Sequence, residues 1–186
     1  MEIETKRLLL RKWRESDADS LFKYASCPDI GPIAGWQPHK SVTESLDVIK
    51  KVLCGGECYA ICLKENNIAV GCIELKLTSS VASVTAFSDG ECELGYWIGK
   101  PFWGQGLVPE AAEALIQYAF DKLGMTKIWC GYYDGNLKSK RVQEKLGFHC
   151  QWTKKDAAVP LMNETRVCHV SSLTKKEWTK KALSSL

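Results

Sequence analysis

The sequence predicts an α/β protein with one mixed central sheet of about six to seven strands, flanked by helices. The first half contains short apolar runs separated by polar turns, which is typical of a meander, whereas the second half alternates strand, helix, strand and helix. With 186 residues, 45% of them hydrophobic, the chain has material for one substantial core but not for two. We therefore expect a single domain over residues 1–186.

The first third of the chain predicts a strand, two helices and a loop. Leu8–Trp13 has the composition of a strand, and Ser16 is expected to cap a first helix that ends near Cys27. The segment 29–40 is rich in proline and glycine, so we expect a loop there. A second helix is expected from Thr43 to about Leu53, where two glycines close it.

Three strands should follow. Glu57–Leu63 and Ile68–Leu77 are apolar runs joined by the short polar turn 64–67, a pattern that indicates an antiparallel hairpin. The small and polar residues 78–90 predict a longer connection. Glu91–Ile98 then forms the third strand of this group.

The next elements alternate between helix and strand. A helix with a broad apolar face should begin at Val108 or Pro109 and end before Gly124. Lys127–Tyr132 predicts a buried strand, and Leu137–Leu146 predicts a helix that stops at the following glycine.

The chain should close with two paired strands and a basic helix. Phe148–Thr153 and Thr165–Leu173 have strand patterns. Thr174 and Glu177 have the spacing of a capping box for the last helix. The lysines of that helix are typical of a solvated face.

A glycine-rich turn between the strand Glu91–Ile98 and the helix at Pro109 is the main chemical feature of the sequence. Gly104 and Gly106 allow the backbone to tighten and to present consecutive N–H groups, to which the helix adds its own unpaired donors and dipole. Such a turn can receive a phosphate, although it can also serve as a plain helix entry. It matches neither a dinucleotide-binding fingerprint nor a nucleotide triphosphate loop.

Three separated motifs carry a family resemblance that spans nearly the whole chain. They are Thr-x-Arg-Leu-x-Leu-Arg at Thr5–Arg11, Gly-Tyr-Trp followed by Trp-Gly-x-Gly and Glu-Ala at Gly95–Ala111, and Asn-x-x-Ser ending in Lys-Leu-Gly-Phe at Asn136–Phe148. In this order they resemble the GNAT superfamily of acetyl-CoA-dependent N-acetyltransferases, and most closely its RimJ/RimL-like branch. The resemblance is strong for fold and cofactor and says much less about the acceptor.

The resemblance implies a GNAT fold in which the fourth and fifth strands, Glu91–Ile98 and Lys127–Tyr132, splay apart. Acetyl-CoA would be the co-substrate, with no metal. The splay would free backbone groups for the pantetheine arm, the glycine turn would take the pyrophosphate, and the Asn-x-x-Ser motif would hold the arm from the other side. The implied cofactor contacts are Trp97, Ile98, Gly99, Trp103, Gly104, Gln105, Gly106, Leu107, Val108, Asn136 and Ser139.

Acetyl transfer needs a base, a stabilised oxyanion and a proton for the leaving thiolate. Glu93 is the candidate base, acting directly or through water, because desolvation among apolar neighbours makes a carboxylate a better proton acceptor; a structural carboxylate is the alternative. The backbone N–H near Ile98 could stabilise the oxyanion. Gln143 stands where many members carry a tyrosine thought to be the acid. Ser139 is the nearest hydroxyl, either as the replacement acid or as a cofactor or backbone contact.

The acceptor is the least determined part of the function. The resemblance places the loop 29–40 over the acceptor side of the cleft, so Trp36 and His39 are candidate acceptor contacts, unless Trp36 only pins the loop. The favoured acceptor is a protein N-terminal α-amine, since its reference pKa of about 7.7–8.0 lies well below the value of about 10.4 for lysine. A non-catalytic acetyl-CoA sensor and a small-molecule (polyamine or antibiotic) acetyltransferase remain as alternatives.

Composition excludes several other classes. No apolar run approaches ~18 residues and no leader pattern opens the chain, so we expect a soluble cytoplasmic protein without a membrane partner. Nine cysteines without a Cys-x-x-Cys pair suggest reduced, buried thiols rather than a metal cluster. A net charge of +3 does not argue for nucleic-acid binding.

Overall fold

The computed structural model describes residues 2–79 and 83–183, and within them eight strands form one mixed sheet. The strands are β1 Ile3–Glu4, β2 Leu8–Arg11, β3 Glu57–Leu63, β4 Ala69–Lys76, β5 Glu91–Ile98, β6 Lys127–Tyr133, β7 His149–Val159 and β8 Glu164–Thr174. Their spatial order is β1-β2-β3-β4-β5-β6-β8-β7. The α/β class with one mixed sheet is confirmed, with slightly more strands than predicted because the two-residue β1 pairs with β2.

Six α-helices flank this sheet in the described part of the chain. They are α1 Ala18–Ala25, α2 Gly31–Ala34, α3 Val42–Val48, α4 Leu107–Asp121, α5 Leu137–Leu146 and α6 Lys175–Leu183. A π-helical turn, Ile49–Leu53, continues α3, and the two together cover the whole of the predicted second helix. The longest helix, α4, buries its apolar face, including Leu115 and Ile116, against one side of the sheet.

Local signals in the sequence set several boundaries correctly. The hairpin β3–β4 is antiparallel and turns where the polar residues predicted it. Gly147 ends α5 with φ +91°, a left-handed conformation that glycine adopts without a Cβ penalty. Thr174 and Glu177 form the predicted reciprocal cap at the start of α6. Six of the nine cysteines are buried, as expected of small hydrophobic residues.

The predicted start of the first helix is wrong. Ser16 does not cap it; instead, Asp17 accepts the backbone N–H of Arg14 and two bonds from the guanidinium of Arg11, at 2.7 and 2.8 Å. The side chain of Arg11 is only 3% exposed, and a buried cation requires a charged partner. The strand β2 ends at Arg11, two residues before the predicted end at Trp13.

Two other segments differ from expectation or lie outside the description. The predicted loop 29–40 contains the short helix α2, which ends at Gly35 with φ +94°. The final strands β7 and β8 are both longer than predicted and form an extended hairpin. Of the predicted connection 78–90, residues 80–82 lie outside the described residues.

The splay between two parallel strands is present where the resemblance implied it. β5 pairs antiparallel with β4 along most of its length, but its parallel pairing with β6 is limited to three residues on each strand, 91–93 and 127–129. Beyond Glu93, β5 continues to Ile98 with no strand of the described residues on that edge, while β6 pairs with β8. The sheet is therefore split at its centre.

Candidate active site

The edge of β5 that faces the split presents backbone groups to a ligand. In a strand, the N–H and C=O groups of successive residues point to opposite sides. The N–H of Gly99 donates to the Val70 carbonyl on β4 at 2.8 Å, so the N–H of Ile98 points towards the split. The Ile98 carbonyl accepts the indole N–H of Trp103 at 3.0 Å. Of the groups expected to be free at residues 97–99, the Gly99 N–H and the Ile98 carbonyl are therefore occupied.

The glycine turn forms an open cradle of donors. Gly104 and Gly106 both have φ +75°, and a Cβ built on Gly104 would meet nothing within 4 Å. Within the described residues, the N–H groups from Gly104 to Val108 have no protein acceptor. The helix α4 begins at Leu107, one residue before the predicted start, so its N-terminus points at the same space.

The opening motif of the chain fastens this turn, a role that sequence reasoning did not find. Arg7 Nε lies 2.6 Å from a Glu110 carboxylate oxygen, and the Thr5 hydroxyl donates to the other at 2.6 Å. Arg7 also donates to the Gln105 carbonyl at 3.0 Å. Burial opposes the ionisation of Glu110, but the hydrogen bonds from Thr5 and Arg7 outweigh it and lower its pKa. Arg7 thus places a cation beside the cradle.

On the other side of the split, α5 supplies polar groups. The side chain of Asn136 caps this helix by accepting the N–H of Ser139 at 3.1 Å. The ammonium of Lys138 lies 4.2 Å from the centroid of the Trp103 ring, which adds a second cation beside the turn. The predicted cofactor contacts at the turn and on α5 thus face one another across the split.

Ser139 lies in a small cluster of hydroxyl and amide groups. Its Oγ is 2.9 Å from the hydroxyl of Tyr96 on β5 and 3.4 Å from Nε2 of Gln143. Gln143 is only 2% exposed, and no donor of the described chain reaches its Oε1. Burial raises the pKa of Tyr96, so this hydroxyl keeps its proton. From the sequence, roles were considered for Ser139 and Gln143 but none for Tyr96, which was noted only as part of the Gly-Tyr-Trp motif.

Glu93 lies on the opposite face of β5 and is 3% exposed. One of its carboxylate oxygens accepts from Lys76 Nζ at 2.8 Å, and the other accepts the N–H of Val84 at 2.8 Å. Both oxygens therefore have a partner before any acceptor binds. This geometry supports the structural alternative at least as well as direct proton removal.

A second carboxylate, which sequence reasoning missed, lies beside Glu93. Glu74 on β4 pairs with Gly95, and a Cβ on Gly95 would come within 3.0 Å of the Glu74 carboxylate. Its side chain is 37% exposed and its oxygen is 3.9 Å from Lys76 Nζ, beyond hydrogen-bonding distance. Burial raises the pKa of Glu74, although Lys76 opposes the shift. Glu74 lies beside Glu93 because of the register between β4 and β5, and this register cannot be read from the sequence motifs.

The two predicted acceptor contacts lie together on the Glu93 face. The ring of Trp36 is 5.8 Å from that of Trp97 and 5.5 Å from that of His39. Trp36 is half-buried, not exposed, and a Cβ on Gly31 would clash with its ring at 2.7 Å. His39 Nδ1 lies 2.8 Å from the Ser45 hydroxyl, and burial lowers the pKa of this histidine. Trp36 thus both pins its loop and borders the site.

These features fit an elongated ligand with phosphate at one end and amides along its length. The cradle offers unpaired backbone donors, and Arg7 and Lys138 offer positive charge. The Ile98 N–H faces the split, where it can donate to a ligand carbonyl. Acetyl-CoA has this distribution of groups.

A sheet that is split between two parallel strands, next to a turn with free backbone N–H groups, is typical of an acyltransferase of the GNAT type. Comparisons with known proteins agree. The family model for the acetyltransferase (GNAT) domain matches residues 7–149, so the chain belongs to the GNAT acetyltransferase family. The chain is 27% identical over 157 residues to the N-acetyltransferase p20 of Bacillus licheniformis, covering 82% of this chain and 84% of that one. It is 30% identical over 101 residues to the [ribosomal protein uS5]-alanine N-acetyltransferase of Escherichia coli, covering 54% and 52%.

The structural likeness extends over nearly the whole fold. A crystal structure of a GNAT-family acetyltransferase from Bacillus anthracis superposes with a TM-score of 0.81 at 24% identity, covering 95% of this chain and all of the other. With ribosomal-protein N-acetyltransferases among its homologues, the resemblance to the RimJ/RimL-like branch is confirmed. None of the described helices is both long and apolar enough to span a membrane.

Proposed function

We propose that this protein transfers the acetyl group of acetyl-CoA to the N-terminal α-amine of a protein. The observation that carries the proposal is the open edge of β5, which begins beyond Glu93 and runs to the donor-rich turn at Gly104. Cofactor groups and acceptor groups lie on opposite faces of this one strand. An acetyl group held at the split would therefore be reachable from both sides.

In this proposal, backbone donors hold the cofactor. The N–H groups from Gly104 to Val108 bind the pyrophosphate, with Arg7 and Lys138 adding charge. The Ile98 N–H lies at the split, where it can donate to the oxyanion that forms as the amine attacks. Ser139 Oγ donates a hydrogen bond to the departing sulfur. Acetyl-CoA itself supplies only the activated thioester.

Glu93 remains the proposed base, and its carboxylate forms an ion pair with Lys76. The carboxylates Glu74 and Glu93 both lie within 4 Å of Lys76, so these three side chains together carry a net negative charge when ionised. An acceptor ammonium entering here would be attracted and could surrender its proton to a carboxylate, directly or through water. Glu74 is the more accessible of the two and is the competing base.

An α-amine suits this site better than a lysine side chain. Its reference pKa of about 7.7–8.0 means that a substantial fraction is already neutral near pH 7, so a carboxylate base suffices. Trp36 and Trp97 form an aromatic border against which a short peptide terminus can pack. The homologous E. coli enzyme is named for acetylating an alanine of ribosomal protein uS5, which supports the same class of acceptor.

One observation favours a rival function, a sensor that binds acetyl-CoA without turning it over. Both oxygens of Glu93 are occupied by Lys76 and Val84, as they would be in a structural carboxylate. The cofactor cradle would be the same in a sensor. The two functions differ in whether free thiol appears when an amine is added.

The test uses two matched peptides with acetyl-CoA. One has a free N-terminus and blocked lysines, and the other has a blocked N-terminus and one free lysine. We expect thiol release and an acetyl group on the α-amine of the first peptide only, located by mass spectrometry. Transfer to lysine alone would contradict the N-terminal assignment, transfer only to polyamines or aminoglycosides would indicate a small-molecule enzyme, and binding without release would indicate the sensor.

A further inference from the structure

Tyr96 connects the split strand to the helix that carries Ser139. Its hydroxyl lies 2.9 Å from Ser139 Oγ and 3.2 Å from the Ser139 backbone carbonyl, although the two residues are 43 positions apart. Both Ser139 oxygens can accept, so the single Tyr96 proton can be shared between them, with the shorter distance to Oγ. The Tyr96 hydroxyl is thus fixed on α5 by two atoms of one residue.

The hydrogen-bonding capacity of Ser139 explains why such a partner matters. A serine hydroxyl has one proton to donate and two lone pairs that accept. If its proton is directed at a leaving sulfur, Oγ needs a donor of its own to keep the orientation. Tyr96 is at the right distance to be that donor, and Gln143 Nε2, at 3.4 Å, offers a weaker second one.

We infer that Tyr96 is a positioning residue that acts through Ser139, by donating to Ser139 Oγ and so aiming the serine proton at the developing thiolate. This inference rests on the proposed function. Consecutive hydrogen bonds polarise one another, so the Tyr96 bond also makes the serine a stronger donor. No proton needs to leave Tyr96, and the thiolate can take its proton from water after it departs.

A double-mutant cycle tests whether Tyr96 works through Ser139. The variants are Tyr96→Phe, Ser139→Ala and the pair together, with Tyr118→Phe as a matched control, since Tyr118 lies on α4 outside the cluster. We expect each of the first two substitutions to lower kcat about tenfold. In the Ser139→Ala background, Tyr96→Phe should have no further effect, because its target is gone. The control should keep wild-type kcat.

A second readout does not depend on turnover. The pH at which the thiol of bound CoA ionises is followed by thiolate absorbance, after subtraction of the protein titrated alone. A donor aimed at sulfur favours the thiolate, so we expect Tyr96→Phe and Ser139→Ala each to raise this pH by about one unit, with no further rise in the pair. Thermal unfolding of each variant reports any loss of fold.

The outcomes separate the inference from the proposed function. The positioning role is overturned if Tyr96→Phe lowers kcat equally with and without the Ser139 hydroxyl. It is also overturned if Tyr96→Phe leaves the thiol titration unchanged. If wild-type protein acetylates no amine, the proposed function fails, yet the thiol titration still decides whether Tyr96 and Ser139 act as a unit. A non-additive shift in that titration would sustain the inference in a sensor as well.

Discussion

The two faces of β5 differ in the chemistry that they hold. Residues 94, 96 and 98 point towards α4 and α5, where the groups at the split are apolar side chains, backbone amides and neutral hydroxyls. Glu93, Gly95 and Trp97 point to the other face, with Lys76, Glu74 and Trp36 around them. The strand's two-residue period therefore separates the proposed cofactor groups from the proposed acceptor groups.

Because the two faces are separate, we expect a substitution on one face to affect only one half of the proposed reaction. A change on the α4–α5 side should affect binding of the donor or departure of the thiol. A change on the Glu93 face should affect acceptor binding or proton removal while leaving acetyl-CoA affinity intact. A substitution that alters both halves equally would contradict the separation.

The largest effect is expected from Gly106→Val at the turn. Gly106 has φ +75°, a conformation that valine disfavours, and the added side chain would stand beside the phosphate donors. We expect acetyl-CoA affinity, measured by calorimetry, to fall about 10³-fold, as the loss of two or three charge-assisted hydrogen bonds would cause. Peptide binding should change little.

The control for this variant is Gly124→Val at the end of α4. Gly124 has φ +70° and open space around it, so valine imposes similar backbone strain away from the cradle. Both variants should lose a similar amount of thermal stability. If Gly106→Val remains folded and binds acetyl-CoA as the wild type does, the turn does not hold the pyrophosphate.

A smaller effect, about 10²-fold in kcat, is expected from replacing the base on the opposite face. If Glu93 accepts the acceptor proton, Glu93→Gln should cause that loss and remove the acidic limb of the pH profile, with unchanged acetyl-CoA affinity. A protonated carboxylate cannot act as a base, which is why we expect wild-type activity to fall on the acidic side.

Glu74→Gln is the matched comparison, because it removes the other carboxylate around Lys76. If Glu93 is the base, Glu74→Gln should raise the peptide KM and leave the acidic limb in place. If the acidic limb of the pH profile is instead lost only in Glu74→Gln, Glu74 is the base and Glu93 serves to pair with Lys76.

Local periodicity was sufficient to predict most of the fold. The hairpin over residues 64–67 and the stop at Gly147 depend on residues close in sequence, and both were correct. The start of α1 was not, because Asp17 is recruited by Arg11 from a neighbouring strand. Propensity at Ser16 could not show a competing ion pair that forms only in the folded chain.

The backbone conformation of the candidate site was predictable where it depends on a short stretch of sequence. The turn at Gly104 and Gly106 is such a case, since its conformation is local. Side-chain partnerships were not predictable: Lys76 meets Glu93 through the β4–β5 register, and Tyr96 meets Ser139 only because the fold brings α5 close to β5. A single sequence does not reveal register or the crossing of a helix over a strand.

The smallest effect is expected at the acceptor border. Trp36 packs on Trp97 and on its own loop, so Trp36→Ala should raise the KM of the N-terminal peptide about fivefold while kcat and acetyl-CoA affinity stay near wild type. Trp36→Phe keeps an aromatic ring and should recover most of the loss. Trp152→Ala on β7, where the indole is 43% exposed, controls for the removal of a tryptophan elsewhere. If Trp36→Ala lowers thermal stability without changing the peptide KM, Trp36 only pins its loop, and the acceptor must be bound by other residues of the Glu93 face.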